Sequence, residues 1–255
     1  MVSIKNFKRI ATLRRVSQIS TMVGLGALVG GFIAGFTGQL ILQYLGLIFG
    51  LLLSQVAAYL TPTYVASPRP DEALDEALGK AVKQGRIYHH VLPVSHVLLT
   101  PAGPIILHTC HQGGDISVIK NKRGDDKWIQ TRANIIRRIF GRESIGNPTR
   151  DAEIMIKRLA VFIRKNAPQI QDEELPIGVI ILFTLKRPKN GSGFTLDLAE
   201  ASFPAMHVSK LRGYLRAQGT GEPLRPDVYA ALEEAFDAKA ADLLDANGRP
   251  LAADR

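Results

Sequence analysis

The chain has 255 residues, 46% apolar and 22% charged, with 32 basic against 23 acidic side chains and one cysteine. This composition excludes a disordered polyelectrolyte, and the lone Cys110 excludes an internal disulfide. The net charge of +9 is unevenly placed: residues 1–60 hold five basic residues and no acid, residues 116–165 hold thirteen basic and five acidic, and every acid lies after residue 70.

Residues 1–18 read as a basic tail carrying Lys5, Lys8, Arg9, Arg14 and Arg15. From Ile19 to Leu60 there is no charged residue and no histidine. One helix of that length would be about twice the hydrocarbon thickness, so two helices are expected, 19–36 and 40–60, with Thr37-Gly38-Gln39 as the turn. Gly26/Gly30 and Gly31/Gly35 are small residues four apart, suited to close helix packing. A cleaved secretory signal is the rival reading; the apolar region is far longer than a signal core and ends without a small-x-small site. Basic residues ahead of the first helix and none in the turn place both termini in the cytoplasm, with the hairpin in the cell inner membrane.

Residues 61–70 read as a linker, followed by a helix over 71–82 with Ala73, Leu74, Ala77, Leu78 and Ala81 on its apolar stripe. Short β-rich runs at 86–92, 95–100, 104–111 and 115–119, separated by Pro and Gly, predict a β-meander. Residues 120–127 are basic and turn-rich, and 132–140 carries one helical apolar face. Asn147-Pro148 has the chemistry of an N-cap and first helical residue; Ile154, Leu159, Phe162 and Ile163 supply the core face, and Pro168 the stop. Ile177–Leu185 is apolar almost throughout, as a strand buried on both faces should be. Helices are expected at 208–217 and 226–244, and a hairpin turn at Asn190-Gly191-Ser192-Gly193. The fold class is thus α/β (α+β), a transmembrane hairpin ahead of an α-β-β-β-α-β core with C-terminal helices.

That order is the core order of the restriction-endonuclease-like fold. The run Ser95–Gly114 (SHVLLTPAGPIILHTCHQGG), Trp128, the GNPT at 146–149 and the strand containing Phe183 resemble membrane-anchored bacterial proteins with a nuclease-related domain (NERD). The resemblance covers about residues 71–200, with 201–255 as a helical extension. It implies an Asp opening the second strand and a Glu-x-Lys pair on the third, holding a divalent cation that activates water. Carried onto this chain, those positions fall at His96, His108 and Cys110, none of which supplies a hard oxygen ligand or the lysine. The resemblance therefore implies a degenerate domain without catalytic residues.

Two other chemistries are weighed beside it. His89, His90, His96, His108, Cys110 and His111 gather imidazoles and the thiol in one stretch, which suits zinc, yet no paired CxxC is present. No cofactor is expected, with zinc at His96, His108 and Cys110 as the alternative. A Cys110 nucleophile paired with His108 or His111 lacks an identified orienting group. The basic band Lys120, Lys122, Arg123, Lys127, Arg132, Arg137, Arg138 and Arg142 could grip nucleic acid, anionic lipid headgroups or only water. The expected function is a non-catalytic binding or scaffolding module at the cytoplasmic membrane surface, with the bilayer as partner. The alternative is a protein that binds or processes nucleic acid through residues 116–165.

Overall fold

The computed structural model describes residues 1–79, 85–131, 144–170, 173–185, 195–218, 221–245 and 248–251. The expected helix at 132–140 and turn at 190–193 lie outside these. The chain forms two units, one of residues 8–69 with 133–144, the other of residues 1–7, 70–132 and 145–255.

In the first unit α1 (Phe7–Phe36) and α2 (Leu40–Tyr64) form an antiparallel hairpin, both long and apolar enough to cross a membrane. Gly38 takes a φ of +72° in the turn, a conformation that costs glycine little. Helix α1 begins twelve residues before the expected boundary at Ile19, so Lys8, Arg9, Arg14 and Arg15 stand on helix rather than on a loose tail. Close approach centres on Gly31 and Gly46: a Cβ on Gly46 would lie 2.7 Å from the Gly31 Cα. Gly24 and Gly50 make the next contact along the pair, whereas Gly26 and Gly30 face open space, contrary to expectation. Towards the open end, Ser17 Oγ lies 3.0 Å from Thr61 Oγ1, a polar tie between helices that otherwise present Met22, Phe36 and Ile41 outward.

The second unit is built on a six-stranded sheet in the order β1-β2-β3-β4-β7-β9 (Val2–Lys5, Arg86–His89, His96–Thr100, Gly103–Cys110, Gly178–Phe183, Ala205–His207). Strand β3 runs against its two neighbours, and every other pairing is parallel. Alternation divides the side chains between two faces. On one face Tyr88, Val97, Leu99, Ile106 and Val179 pack under α4 (Pro148–Asn166) and α6 (Pro226–Lys239). On the other, Ile87, Leu98, Leu107, Ile180 and Leu182 pack under α3 (Pro70–Leu78) and α5 (Val208–Gln218). Coverage on both faces is why β7, GVIILF, carries no polar residue.

Asn147 caps α4 by accepting from the Arg150 N–H at 3.1 Å, with Pro148 next, Asp151 in the first turn and Arg164 and Lys165 in the last. Each charge complements the helix dipole. Leu159, Phe162 and Ile163 are buried, whereas Ile154, assigned to the core from its spacing, is exposed.

Four expectations need correction. Residues 1–5 contribute an edge strand, because the Val2–Lys5 backbone pairs with Arg86–His89. Strand β5 (Asp115–Lys120) leaves the meander: it pairs with β6 (Asp126–Thr131), which covers part of the expected basic turn, and with β8 (Leu196–Asp197), making a separate three-stranded sheet. That sheet packs Ile116, Trp128 and Leu196 against Cys110, Ile181 and Phe183. Helix α6 ends at Lys239, with a 3-10 turn at Ala241–Leu243. Finally, residues 201–255 are no appendage, since β9 completes the sheet and Val228, Leu232 and Phe236 of α6 fill its main core.

Candidate functional site

Because β1, β2, β4, β7 and β9 are mutually parallel, their carboxyl ends share one edge of the sheet. Lys5, His89, Cys110, Phe183 and His207 end these strands, and His96 opens β3 at the same edge, opposite His89. Carboxyl edges of this kind are where open α/β sheets bind ligands. All six histidines lie on or beside it.

The polar network there is anchored by α3. Asp71, Leu74, Asp75 and Leu78 are spaced i, i+3, i+4, i+7, so the helix presents two carboxylates together with its leucines to the sheet. Lys5 Nζ donates to Asp71 Oδ2 at 2.9 Å and pairs with Asp75 Oδ2 at 2.6 Å, and Ser3 Oγ donates to Asp75 Oδ1 at 2.9 Å. His89 Nε2 lies 3.1 Å from Asp75 Oδ1, and its Nδ1 lies 2.8 Å from His96 Nδ1. Burial opposes ionisation of Asp75, but His89 and Lys5 outweigh it and hold the carboxyl at about 2. For His96, burial and then the neighbouring His89, His90, His111 and Lys5 push the imidazole well below its ordinary range, so it stays neutral.

Those states constrain the protons. With His89 Nε2 donating to Asp75, a neutral His89 must accept at Nδ1 from His96, leaving a lone pair on His96 Nε2; a charged His89 donates instead, and His96 Nε2 carries hydrogen. In both cases His96 Nε2 is buried and has no hydrogen-bond partner among the described residues. His89 and His96 are 0% and 1% exposed, so the chain Asp75–His89–His96 ties α3 to β2 and β3 and meets solvent only at Asp75, whose side chain is 27% exposed.

The three positions carried over from the nuclease family do not meet. His96 shares the α3 face with Leu98, whereas His108 and Cys110 alternate with Leu107 and lie on the face of Ile106. The side chains on the His96 side of β4 are Ile105, Leu107 and Thr109, none of them a metal ligand of the nuclease type. Cys110 Sγ lies 3.8 Å from His108 Nε2, but burial pushes the thiol up to about 12 and the imidazole down, so the pair holds neither a thiolate nor a charged histidine. His111 hydrogen-bonds through Nδ1 to Thr184 Oγ1 at 2.8 Å, and burial lowers it to about 4. Among the described residues no three His, Cys, Asp or Glu side chains are placed to hold a metal ion.

The basic band is divided. Lys120 is engaged by Asp126 and by Ser202 Oγ, while Lys122, Arg123 and Lys127 are exposed around the β5–β6 turn. Arg132, Arg137, Arg138 and Arg142 lie outside the described residues. Asp126 is a structural hub that sequence reasoning missed: it accepts from Thr149 Oγ1 at 2.6 Å, from Ser202 N at 2.9 Å and from Ser202 Oγ at 2.9 Å. Burial acts against it, but Lys120, Thr149 and Ser202 hold its carboxyl at about 2. Lys5, Asp71 and Asp75 were also missed, although the helical spacing of Asp71 and Asp75 with Leu74 and Leu78 was a signal for the last two. Comparison with family models, curated proteins and solved structures finds no match to this chain.

Proposed function

We propose that this protein is a membrane-anchored, non-catalytic binding or scaffolding module working at the cytoplasmic face of the membrane, on a degenerate NERD-like domain. The observation that carries the reading is the placement of β1 and β2. They are adjacent parallel strands separated in sequence by the apolar hairpin, so both ends of the hairpin return to one folded unit, as an even number of crossings requires. Five basic residues before the apolar run, and none in its turn, support a cytoplasmic domain.

The order α3-β2-β3-β4-α4-β7 around the main sheet, with β5 and β6 inserted between β4 and α4 in a sheet of their own and β3 antiparallel to its neighbours, supports the restriction-endonuclease-like reading. The non-catalytic reading is supported by His96, His108 and Cys110 standing where the family keeps Asp, Glu and Lys, and by their division between two faces of the sheet. Reporter fusions at both termini test the topology, and a C-terminal reporter active outside the cytoplasm overturns it. The full chain in detergent should leave DNA and RNA intact with Mg²⁺ or Mn²⁺; cleavage abolished by His96→Ala would sink the non-catalytic reading. A second reading, nucleic-acid binding or processing through residues 116–165, draws on the exposed Lys122, Arg123 and Lys127. Its signature is binding that falls steeply with salt and weakens on Lys122→Ala and Arg123→Ala.

A further inference from the structure

The outer face of α4 has a pattern that neither folding nor solubility requires. Val161 is 64% exposed, and the residues three and four positions to either side of it are Lys157, Arg158, Arg164 and Lys165. All four are exposed, and among the described residues none forms an ion pair. Two and three turns earlier, in line with Val161, stand Ile154, 38% exposed, and Arg150. Asp151 stands in the first turn, where the helix dipole favours it, and Glu153 is four residues before Lys157; no carboxylate is three or four residues from Arg158, Arg164 or Lys165.

A solvated helix normally sets carboxylates three or four residues from its cations, and a β-branched side chain in water adds neither helix propensity nor burial. The dipole accounts for Arg164 and Lys165 at the C-terminus and Glu153 for Lys157, but neither accounts for Arg158 or for the exposed Val161 among the four cations. An apolar centre ringed by cations is the pattern of a helix face that rests in a headgroup layer, its long side chains reaching the phosphates.

We propose that this face of α4 docks on the anionic phospholipid headgroups of the bilayer that holds the hairpin. The proposal rests on the membrane-anchor reading. The tether makes the encounter local: Asn6 alone separates β1 from α1, and residues 65–69 between α2 and α3 reach at most about 18 Å. The charge is complementary, and the exposed Ile154 and Val161 favour a lipid layer over a nucleic-acid backbone, which would leave them unburied.

The test uses the full chain with Cys110→Ala and Val161→Cys, labelled at position 161 with a polarity-sensitive nitrobenzoxadiazole and placed in lipid nanodiscs. In mixed phosphatidylcholine and phosphatidylglycerol discs the label should shift to the blue and lose access to a neutral aqueous quencher; in pure phosphatidylcholine it should not. Each cation at such a surface multiplies occupancy about fivefold, so replacing Lys157, Arg158, Arg164 and Lys165 by Gln should lower the docked-to-free ratio about a hundredfold or more. Replacing Lys157 and Lys165 by Arg should preserve docking, and unchanged Trp128 emission confirms that the variants are folded. Equal spectra in both disc types, or a shift produced by adding duplex DNA to phosphatidylcholine discs, overturns the proposal. Failure to enter discs at all, read by size exclusion beforehand, refutes the anchor reading and the proposal together.

Discussion

Acidification from pH 8 to pH 5 should destabilise the α/β unit before any carboxylate is titrated. His111 has its imidazole lowered by burial from 6.5 to about 4, so the folded state resists a proton that the unfolded chain accepts. The stabilisation is fully present above pH 6.5 and is lost as pH falls towards 4, since the unfolded state binds more protons throughout that window. A displacement of that size corresponds to about 3 kcal/mol in full, of which about 2 kcal/mol is lost by pH 5. For a domain of this size the loss at pH 5 lowers Tm by about 4 to 8 °C. His96 and His108 shift in the same direction and deepen the fall. Asp75 and Asp126, both held at about 2, begin to contribute only below about pH 4, which separates the two effects.

Trp128, the only tryptophan, donates from Nε1 to Thr149 Oγ1 at 2.9 Å and packs near Phe183, so its emission reports this unit and not the hairpin. Thermal unfolding of the full chain in neutral detergent, followed by Trp128 at pH 8, 7, 6 and 5, gives the curve. His111→Gln should flatten it between pH 6.5 and 5. A constant Tm over that range, or a slope untouched by both His111→Gln and His96→Gln, would refute the reasoning.

Three further outcomes are expected. Asp126→Ala strands the Lys120 ammonium, Thr149 and Ser202 at one point and should destabilise the unit by about 3 kcal/mol, with red-shifted Trp128 emission; a loss under about 1 kcal/mol in urea titration would contradict the hub. Lys5→Ala removes the 2.9 Å cation of the buried Asp71 and a partner of Asp75, so a loss of about 1 to 3 kcal/mol should appear in the same titration; an unchanged midpoint would mean that β1 contributes nothing to the fold. Gly46→Leu puts carbon where the Gly31 backbone stands, so a cysteine pair introduced at Ser17 and Thr61 should oxidise readily in the parent and poorly in the variant; equal oxidation would mean that the helices are not held at that crossing.

Features set by neighbouring residues were legible without the structure. An uncharged run twice the length of a span foretold a hairpin, Asn147-Pro148 opened α4 where its side chain and missing N–H dictate, and β7 declared itself by lacking polar residues. Tertiary structure decided what depends on register between distant strands. Four residues at the N-terminus are too few to announce a strand, and Val2–Lys5 became one only because Arg86–His89 offered an unpaired edge. His96 and His108 were close in sequence and plausible as partners, yet a side-chain period of two together with the pairing of Val97 opposite Ile106 put them on opposite faces. Asp75 joined His89 and His96 for the same reason in reverse, since helical spacing turned it inward and the antiparallel pairing of β2 with β3 brought the two histidines beneath it.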